Sequence, residues 1–110
     1  MRLNTIATIV ALCACPAAQA ESVYVKYRGE VDLKFFDCTD ITRSSFIRRM
    51  CYDQRNEYML ISLNGTFYHY CEIDAGTVSS LLSAPSMGRF YNASIKGQFD
   101  CRITSHGAEG

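Results

Sequence analysis

Four residues between positions 86 and 92 have side chains suited to binding an anionic ligand: Ser86, Arg89, Tyr91 and Asn92. Ser86 is predicted to cap a helix whose first N–H groups can bind an anion, with Arg89 adding a charge-assisted bond. Gly88 permits close approach of a ligand or of backbone. We expect Arg89 and Asn92 to contact the ligand and Tyr91 to flank it. Alternatively, Ser86 only caps the helix and Gly88 only lets it approach a sheet.

Cysteine spacing points to disulfides rather than to a metal site. Four cysteines follow residue 20: Cys38, Cys51, Cys71 and Cys101. The gaps between them are twelve, nineteen and twenty-nine residues, whereas metal sites use close pairs such as C-x₂₋₄-C. An even number of cysteines in a small exported domain is typical of disulfides. We therefore predict two disulfides, no metal and no cofactor.

A histidine between two tyrosines, Tyr68-His69-Tyr70, has two interpretations. Exposed tyrosines could form a platform on which bases or sugars stack. The predicted strand register instead places both tyrosines on the face where helices pack, which favours core packing. A catalytic histidine needs a nucleophile or carboxylate beside it, and no motif supplies one for His69. We predict no catalytic residue and no enzymatic activity.

Four arginines form the one basic cluster of the sequence: Arg43, Arg48, Arg49 and Arg55. Aspartates interrupt the cluster, and strand alternation sends neighbouring arginines to opposite faces. A solvated, partly ion-paired strand face is therefore favoured over an anion-binding patch.

The first twenty residues have the pattern of a secretory signal peptide. Arg2 supplies the positive charge, an apolar stretch of about eleven residues follows, and Ala18-Gln19-Ala20 is a small-x-small cleavage site. This stretch is shorter than the roughly 20 residues that cross a bilayer, so no transmembrane segment is expected in the mature chain. Cleavage would start that chain at Glu21. An alternative is lipid attachment at Cys15. Both predict a periplasmic or secreted protein.

The mature chain would be nearly neutral. Without Arg2, ten basic and eleven acidic residues remain, which gives a formal charge of −1. General nucleic-acid binders present a cationic surface, so this balance argues against nucleic acid as a partner.

Asn64-Gly65 between two apolar runs predicts the centre of the domain. This dipeptide indicates a two-residue hairpin, because both turn residues must take positive φ. We predict strands over 46–52, 57–63 and 66–71, with a four-residue loop over 53–56.

The flanking segments carry other patterns. Loose alternation over 23–27 and 31–35 predicts two short strands, or one strand and an extended arm. The polar run 39–45 predicts a loop. Helical spacing of apolar residues predicts one helix after Asp74, and a second after Ser86 that ends at Gly97.

Together these elements predict an α+β fold stapled by disulfides. A three-stranded antiparallel meander carries two C-terminal helices on one face, and an extended N-terminal arm precedes it. The predicted division is a signal peptide over 1–20, the arm over 21–43, the domain over 44–101 and a flexible tail over 102–110.

An ordered set of short motifs resembles the KTSC domain, a family named for its occurrence at the C-terminus of some lysyl-tRNA synthetases. The motifs are Ser44-Ser45-Phe46-Ile47, Cys51-Tyr52-Asp53, Asn64-Gly65, Tyr68-His69-Tyr70, and Ala84-x-Ser86-x-Gly88-x-Phe90-Tyr91-Asn92. The triplet at 68–70 is the family's signature. The resemblance implies the fold of the central domain, and it implies RNA binding as a candidate role. Cys51 stands where the family usually has glycine, and Asp74 where it often has proline.

The predicted strand order also bears on which cysteines pair. It places Cys51 and Cys71 in one row, two strand spacings or about 10 Å apart. A disulfide needs Cα atoms within about 4.4–6.8 Å, which argues against a Cys51–Cys71 bridge. Of the two remaining patterns, Cys38–Cys51 with Cys71–Cys101 is preferred because it joins cysteines that neighbour in sequence.

These observations favour an exported, non-enzymatic binding or structural module with an envelope or extracellular partner. RNA binding and a small hydrolase are the alternatives. The sequence identifies neither the partner nor the oligomeric state.

Overall fold

The computed structural model describes residues 21–102. The predicted signal peptide, the alternative lipid attachment at Cys15, and the predicted tail after Arg102 lie outside the described residues. The described chain forms six strands and two α-helices. The strands are β1 (Ser22–Val25), β2 (Gly29–Asp32), β3 (Asp37–Asp40), β4 (Ile47–Asp53), β5 (Tyr58–Leu63) and β6 (Thr66–Tyr70). The helices are α1 (Ala75–Ser83) and α2 (Met87–Phe90), and a π-helical turn, Tyr91–Ile95, follows α2.

All six strands belong to one mixed sheet with the order β2-β1-β6-β5-β4-β3. Every neighbouring pair is antiparallel except β1 and β6, which are parallel and meet at Val25 and Phe67. The prediction of a three-stranded meander with an extended N-terminal arm is therefore wrong. The meander β4-β5-β6 exists, but residues 22–40 add three strands to its two edges.

The N-terminal strands join the sheet because they cover a second apolar face. On that face the buried residues are Val25, Val31, Leu33, Cys51 and Leu60. The chain leaves β2 at one edge and enters β3 at the other after only residues 33–36, so the sheet is curved and brings its two edges close together. Arg49 of β4 donates two hydrogen bonds to the Glu21 carboxylate, at 2.7 and 3.2 Å. We call this the hairpin face, after the β1-β2 hairpin that covers it.

The polar run over 39–45 is only partly a loop, as its first residues belong to β3. Thr39 pairs with Met50, and Asp40 with Arg49. Propensity alone favoured a loop here, but pairing with β4 satisfies the backbone groups of this segment.

The predicted Asn64-Gly65 hairpin is confirmed. Both residues have positive φ, 51° and 92°, as a two-residue turn of this kind requires. The predicted register is also present, since Ile61 lies opposite Tyr68 and Met59 opposite Tyr70.

The register between β4 and β5 differs from the prediction by two residues. Cys51 lies opposite Leu60, and Leu60 opposite His69, because the turn occupies residues 54–57 instead of 53–56. The prediction that Cys51 and Cys71 share one row is therefore wrong. Asp53 stays in the strand, and its carboxylate accepts hydrogen bonds from the Asn56 side chain at 2.7 Å and backbone N–H at 3.4 Å. Glu57 closes the turn with a φ of 49°. A side chain bonded to the backbone three residues on thus sets the turn.

The opposite side of the sheet, the helical face, carries the larger core. Strand residues of this face include Met50, Tyr52, Met59, Ile61 and Tyr70, which lie among the buried residues of one cluster. From the C-terminal elements the cluster includes Ile73, Val78, Leu81, Met87, Tyr91 and Ile95. Twelve buried apolar residues on this face, at roughly 1.5–3 kcal/mol for each large side chain, make it the main source of stability.

The second predicted helix begins as expected but is not a single α-helix. Ser86 is the N-cap and its hydroxyl accepts a hydrogen bond from the Arg89 N–H at 3.2 Å. After one turn the chain widens into the π-helical turn, where the Lys96 N–H donates to the Tyr91 carbonyl at 2.9 Å. The wider turn keeps both Tyr91 and Ile95 buried against the sheet.

Two disulfides join the cysteines in the preferred pattern, Cys38–Cys51 and Cys71–Cys101. Cys38 lies directly opposite Cys51 in the β3-β4 ladder, so this bridge fastens an edge strand. The second bridge fastens the segment after the π-helical turn, where the Cys71 N–H also donates to the Phe99 carbonyl at 2.7 Å.

Within residues 21–102, neither α-helix has the length and apolar character needed to cross a membrane.

Candidate functional site

A cleft of about 390 Å³ lies between the loop that precedes β4 and the start of α2. The loop contributes residues 43–46, which follow β3. The facing wall is formed by residues 85–89 together with Asn92. The full lining is Arg43, Ser44, Ser45, Phe46, Pro85, Ser86, Met87, Gly88, Arg89 and Asn92. The cleft therefore brings together Ser86, Arg89 and Asn92, three of the four residues that the sequence nominated.

The charge of this cleft is positive. Arg43 and Arg89 line it, and among residues 21–102 no carboxylate belongs to its lining. The Arg43 guanidinium is partly engaged, because it donates a hydrogen bond of 2.8 Å to the Leu82 carbonyl near the end of α1. That bond holds one guanidinium nitrogen and leaves Arg43 with further N–H donors.

Two serine hydroxyls of the cleft are oriented by backbone groups. Ser44 Oγ accepts hydrogen bonds from the N–H groups of Phe46 and Ile47, at 3.3 and 3.0 Å. Ser86 Oγ accepts one from the Arg89 N–H. Because each hydroxyl acts as acceptor in these bonds, its own hydrogen can be donated to a ligand. The same bond engages the Arg89 N–H, so side chains supply more of the donors than the sequence analysis expected.

Tyr91 does not line the cleft. Its ring is buried under the helical face, and its hydroxyl lies 2.6 Å from that of Tyr70. Burial raises the pKa of Tyr91 above its usual value. The expectation that Tyr91 flanks a ligand therefore disagrees with its position, because residues 89 and 92 turn outward while residue 91 turns to the core.

Gly88 lies against the ring of Phe46, which forms the wall of the cleft. A Cβ atom at this position would come within 2.7 Å of Phe46 Cε1 and 3.2 Å of Cζ. The glycine thus allows α2 to pack closely on the residue that precedes β4.

We expect Gly88→Ala to lower the free energy of unfolding by about 1–3 kcal/mol, since the added methyl group forces the Phe46 ring to move. Urea unfolding measures this loss. Gly97→Ala is the matched control, because a Cβ atom there meets nothing within 4 Å. Equal stabilities of the two variants would show that the Phe46 contact does not limit residue 88.

The signature tyrosines do not form an exposed platform. Tyr70 is 3% exposed and Tyr68 is half-buried on the same face. Burial, together with the hydrogen bond to Tyr91, raises the pKa of Tyr70 far above its usual value. Both tyrosines thus pack with the helical-face core, as the register predicted.

His69 points to the hairpin face, where its Nδ1 lies 2.8 Å from the Tyr58 hydroxyl. The two rings meet edge to face, with centroids 5.7 Å apart. Burial lowers the pKa of His69 below 6.5, and the charge of Arg28 lowers it further. His69 is therefore placed as a neutral, hydrogen-bonded side chain.

The lowered pKa of His69 predicts a pH dependence of stability. The unfolded chain binds a proton near pH 6.5 more readily than the folded chain, so folding is favoured above this pH and loses stability as the pH falls below it. We expect the urea midpoint of the wild type to fall from pH 7 to pH 5, and that of His69→Gln to fall less. Comparing the two proteins cancels contributions from other groups. If the urea midpoints of both proteins fell by the same amount, the lowered pKa of His69 would be contradicted.

The four arginines of the basic cluster are separated in space. Arg43 lines the cleft and Arg49 pairs with Glu21, with Asp40 at 3.4 Å. Arg55 lies over the ring of Phe35, at 5.1 Å from its centroid, and Arg48 is exposed on β4. The sequence did not nominate Arg43, Ser44 or Ser45 for the site. Their adjacency to residues 85–92 arises from tertiary packing, and the one local signal was their position at the start of the family motif.

A family model for the KTSC domain matches residues 43–99, which is more than half of the sequence. The chain belongs to the KTSC domain family. A KTSC domain crystal structure from Yersinia pestis is similar to it, with 29% identity and a TM-score of 0.54. That likeness covers 58% of this chain and 90% of the Yersinia chain. A search of curated proteins finds no significant match.

The KTSC match includes every residue of the cleft and excludes β1, β2 and β3. The cleft thus lies in the part of the chain shared with the family. The β1-β2 hairpin belongs to the additional N-terminal segment, whereas the face that it covers includes Cys51 and Leu60 of the matched part.

Within the described part of the chain, no group of three or more histidine, cysteine, aspartate or glutamate side chains is arranged to hold a metal.

Proposed function

We propose that this KTSC protein is an exported, non-enzymatic binding module whose ligand presents an anionic group to the cleft beside α2. The observation that carries the proposal is the composition of that cleft. In the part of the chain that the structure describes, two arginines, three serines and an asparagine line it, without a carboxylate. Guanidinium and hydroxyl donors without acidic neighbours are suited to bind phosphate or carboxylate oxygens.

A binding role is favoured over catalysis by the placement of the reactive side chains. All four cysteines between residues 21 and 102 are in disulfides. His69 is bonded to Tyr58 on the other side of the sheet from Tyr70 and the helices. A hydrolase would need a nucleophile and a base within hydrogen-bond distance, and the cleft lining includes neither histidine nor cysteine.

Export is favoured by the two disulfides, which persist in oxidising compartments. N-terminal sequencing of protein recovered from cells that express the full chain tests it. We expect the chain to begin at Glu21. A lipid-modified Cys15 would support the lipoprotein alternative, and a retained Met1 would contradict export.

Ligand binding is tested by titrating the oxidised protein with inorganic phosphate and with acetate, followed by two-dimensional ¹H–¹⁵N NMR. We expect saturable shifts at residues 44–46 and 86–92. Arg89→Gln should weaken binding about tenfold or more, since a hydrogen bond to a charged group is lost.

Arg55→Gln is the matched control, because it removes the same charge from an exposed arginine outside the cleft. An equal loss in both variants, or no saturable shift with either anion, would contradict the proposal. A single-stranded RNA is the third probe. Affinity that falls steeply between low and physiological salt would favour the RNA-binding alternative, because it indicates counterion release from a cationic surface.

A further inference from the structure

A second pocket, of about 540 Å³, opens where β4 ends and β5 begins. It lies between the β1-β2 hairpin and the β4-β5 turn. Its lining is Arg28, Glu30, Val31, Asp32, Phe36, Asp53, Asn56, Tyr58 and Cys71. The anion cleft adjoins the start of β4 and this pocket adjoins its end. Seven strand residues separate them by about 23 Å, so the two can be occupied independently.

The charge of this pocket is opposite to that of the cleft. Glu30, Asp32 and Asp53 supply three carboxylates, against the one guanidinium of Arg28. Asp53 is 7% exposed, and Asn56 holds its orientation through hydrogen bonds to both carboxylate oxygens. One acidic group is therefore fixed at the wall while the other two lie at the surface.

Aromatic rings complete the pocket. Phe36 and Tyr58 meet edge to face with centroids 6.0 Å apart. The guanidinium carbon of Arg28 lies 5.8 Å from the Tyr58 centroid, within the range of a cation–π contact. The pocket thus already accommodates one positive group of the chain itself against an aromatic ring. Arg28 is exposed, so an external cation can replace it.

We propose that this pocket binds an alkylammonium group, with Tyr58 and Phe36 around the cation and the carboxylates of Glu30, Asp32 and Asp53 as its counter-charges. Arg28 acts as an internal competitor that occupies the aromatic surface in the free protein. The alkylammonium can come from a small free diamine or from a lysine side chain of a peptide, and both present the same chemistry. Five of the nine lining residues belong to the N-terminal segment outside the KTSC match, and the site does not depend on the proposed anion cleft.

The test is an NMR titration of the oxidised protein with 1,4-diaminobutane, and with 1,4-butanediol as the neutral probe of the same length. We expect saturable shifts at the Asn56 side-chain amide and at Tyr58 with the diamine alone. Equal shifts with the diol would overturn the proposal, because the charge would then contribute nothing. Acetyl-Gly-Lys-Gly-amide distinguishes the sources, since saturable binding of this peptide indicates a lysine side chain and binding of the diamine alone indicates a free diamine.

Two sets of variants test the roles of the residues. Glu30→Gln with Asp32→Asn should weaken diamine binding roughly tenfold, since two nearby counter-charges are lost. The control, Asp37→Asn with Asp40→Asn, removes the same charge from exposed residues of β3 outside the lining. It should change the affinity for the diamine less than twofold. Equal weakening in the two double variants would overturn the proposal, because it would indicate general attraction to an acidic surface.

Arg28→Ala gives the sharper result, because removal of the internal competitor should strengthen diamine binding about threefold or more. Arg48→Ala removes an equal charge from an exposed position outside the pocket and should strengthen binding less. If the two variants bind equally, Arg28 does not occupy the cation position and the proposal is wrong. The spectra also report whether each variant is folded.

Discussion

Replacing Tyr70 with alanine should lower the free energy of unfolding by about 3–5 kcal/mol, the usual cost of truncating a large buried aromatic residue. Tyr70 is 3% exposed and packs edge to face on Tyr91, with centroids 5.9 Å apart. Truncation would leave a cavity between β6 and the π-helical turn. It would also leave the Tyr91 hydroxyl without the partner that now lies 2.6 Å away.

Urea unfolding of the oxidised protein measures this effect, and two variants separate its parts. Tyr70→Phe keeps the ring and removes the hydroxyl, so it should cost about 1–3 kcal/mol, the range for one unsatisfied buried polar group. Tyr24→Ala truncates a tyrosine that is 70% exposed and should stay within about 0.5 kcal/mol of the wild type. An unchanged midpoint for Tyr70→Ala would place the ring on the surface and would restore the stacking platform.

The central hairpin was predictable because two adjacent residues determine its turn. Asn64-Gly65 requires positive φ at two adjacent residues, which fixes the turn and with it every pair between β5 and β6. The faces of Tyr68 and Tyr70 follow from that register. The β4-β5 turn was not determined in this way, because its position depends on whether the Asp53 carboxylate binds the backbone of Asn56.

Two short N-terminal strands were among the predicted alternatives, but the pairing of β1 with the central meander was missed because its partner β6 is distant in sequence. Val25 pairs with Phe67 in a parallel arrangement, and β3 pairs with β4 at the opposite edge. The apolar alternation of residues 23–35 is visible, but it does not reveal which face it covers. Leu60 and Cys51 are fully buried on the side away from the helices, because the N-terminal residues shield that face from solvent.

The sequence predicted the residues on one wall of the cleft and not those on the other. The serine, arginine and asparagine between residues 86 and 92 were visible as a helix start. Their partners at 43–46 come from a different segment, and tertiary contacts bring the two together, among them those of Phe46 with Gly88 and Tyr91. The inward position of Tyr91 agrees with α-helical spacing, because Met87 and Ile95, four residues before and after it, are buried too. A flanking role for Tyr91 was therefore inconsistent with the predicted helix.

Removing the Cys71–Cys101 disulfide by a double substitution to alanine should cost about 3.5 kcal/mol. The bridge spans 30 residues, and the loss follows from the greater entropy of the unfolded chain. Other contacts also hold the segment around Cys101, including Arg102 over the Tyr27 ring, at 4.2 Å from its centroid, and Phe99 against the helical-face core. The Cys71 N–H donates to the Phe99 carbonyl, and Tyr70 forms an isolated bridge with Asp100. These two contacts join residues that are 28 and 30 positions apart in sequence, and we expect them to open more often when the covalent link is absent.

The Cys38→Ala/Cys51→Ala variant provides the comparison, with a span of 13 residues and an expected entropic loss of about 3 kcal/mol. The two variants should lose similar amounts of stability, but hydrogen exchange should accelerate in a different segment of each. Without Cys38–Cys51, hydrogen exchange should accelerate in β3, an edge strand paired with β4 alone. Without Cys71–Cys101, it should accelerate at the Cys71 amide and leave β3 protected. A loss below about 1 kcal/mol in either variant would contradict the entropic account, because the hydrogen bonds alone would then hold that segment in place.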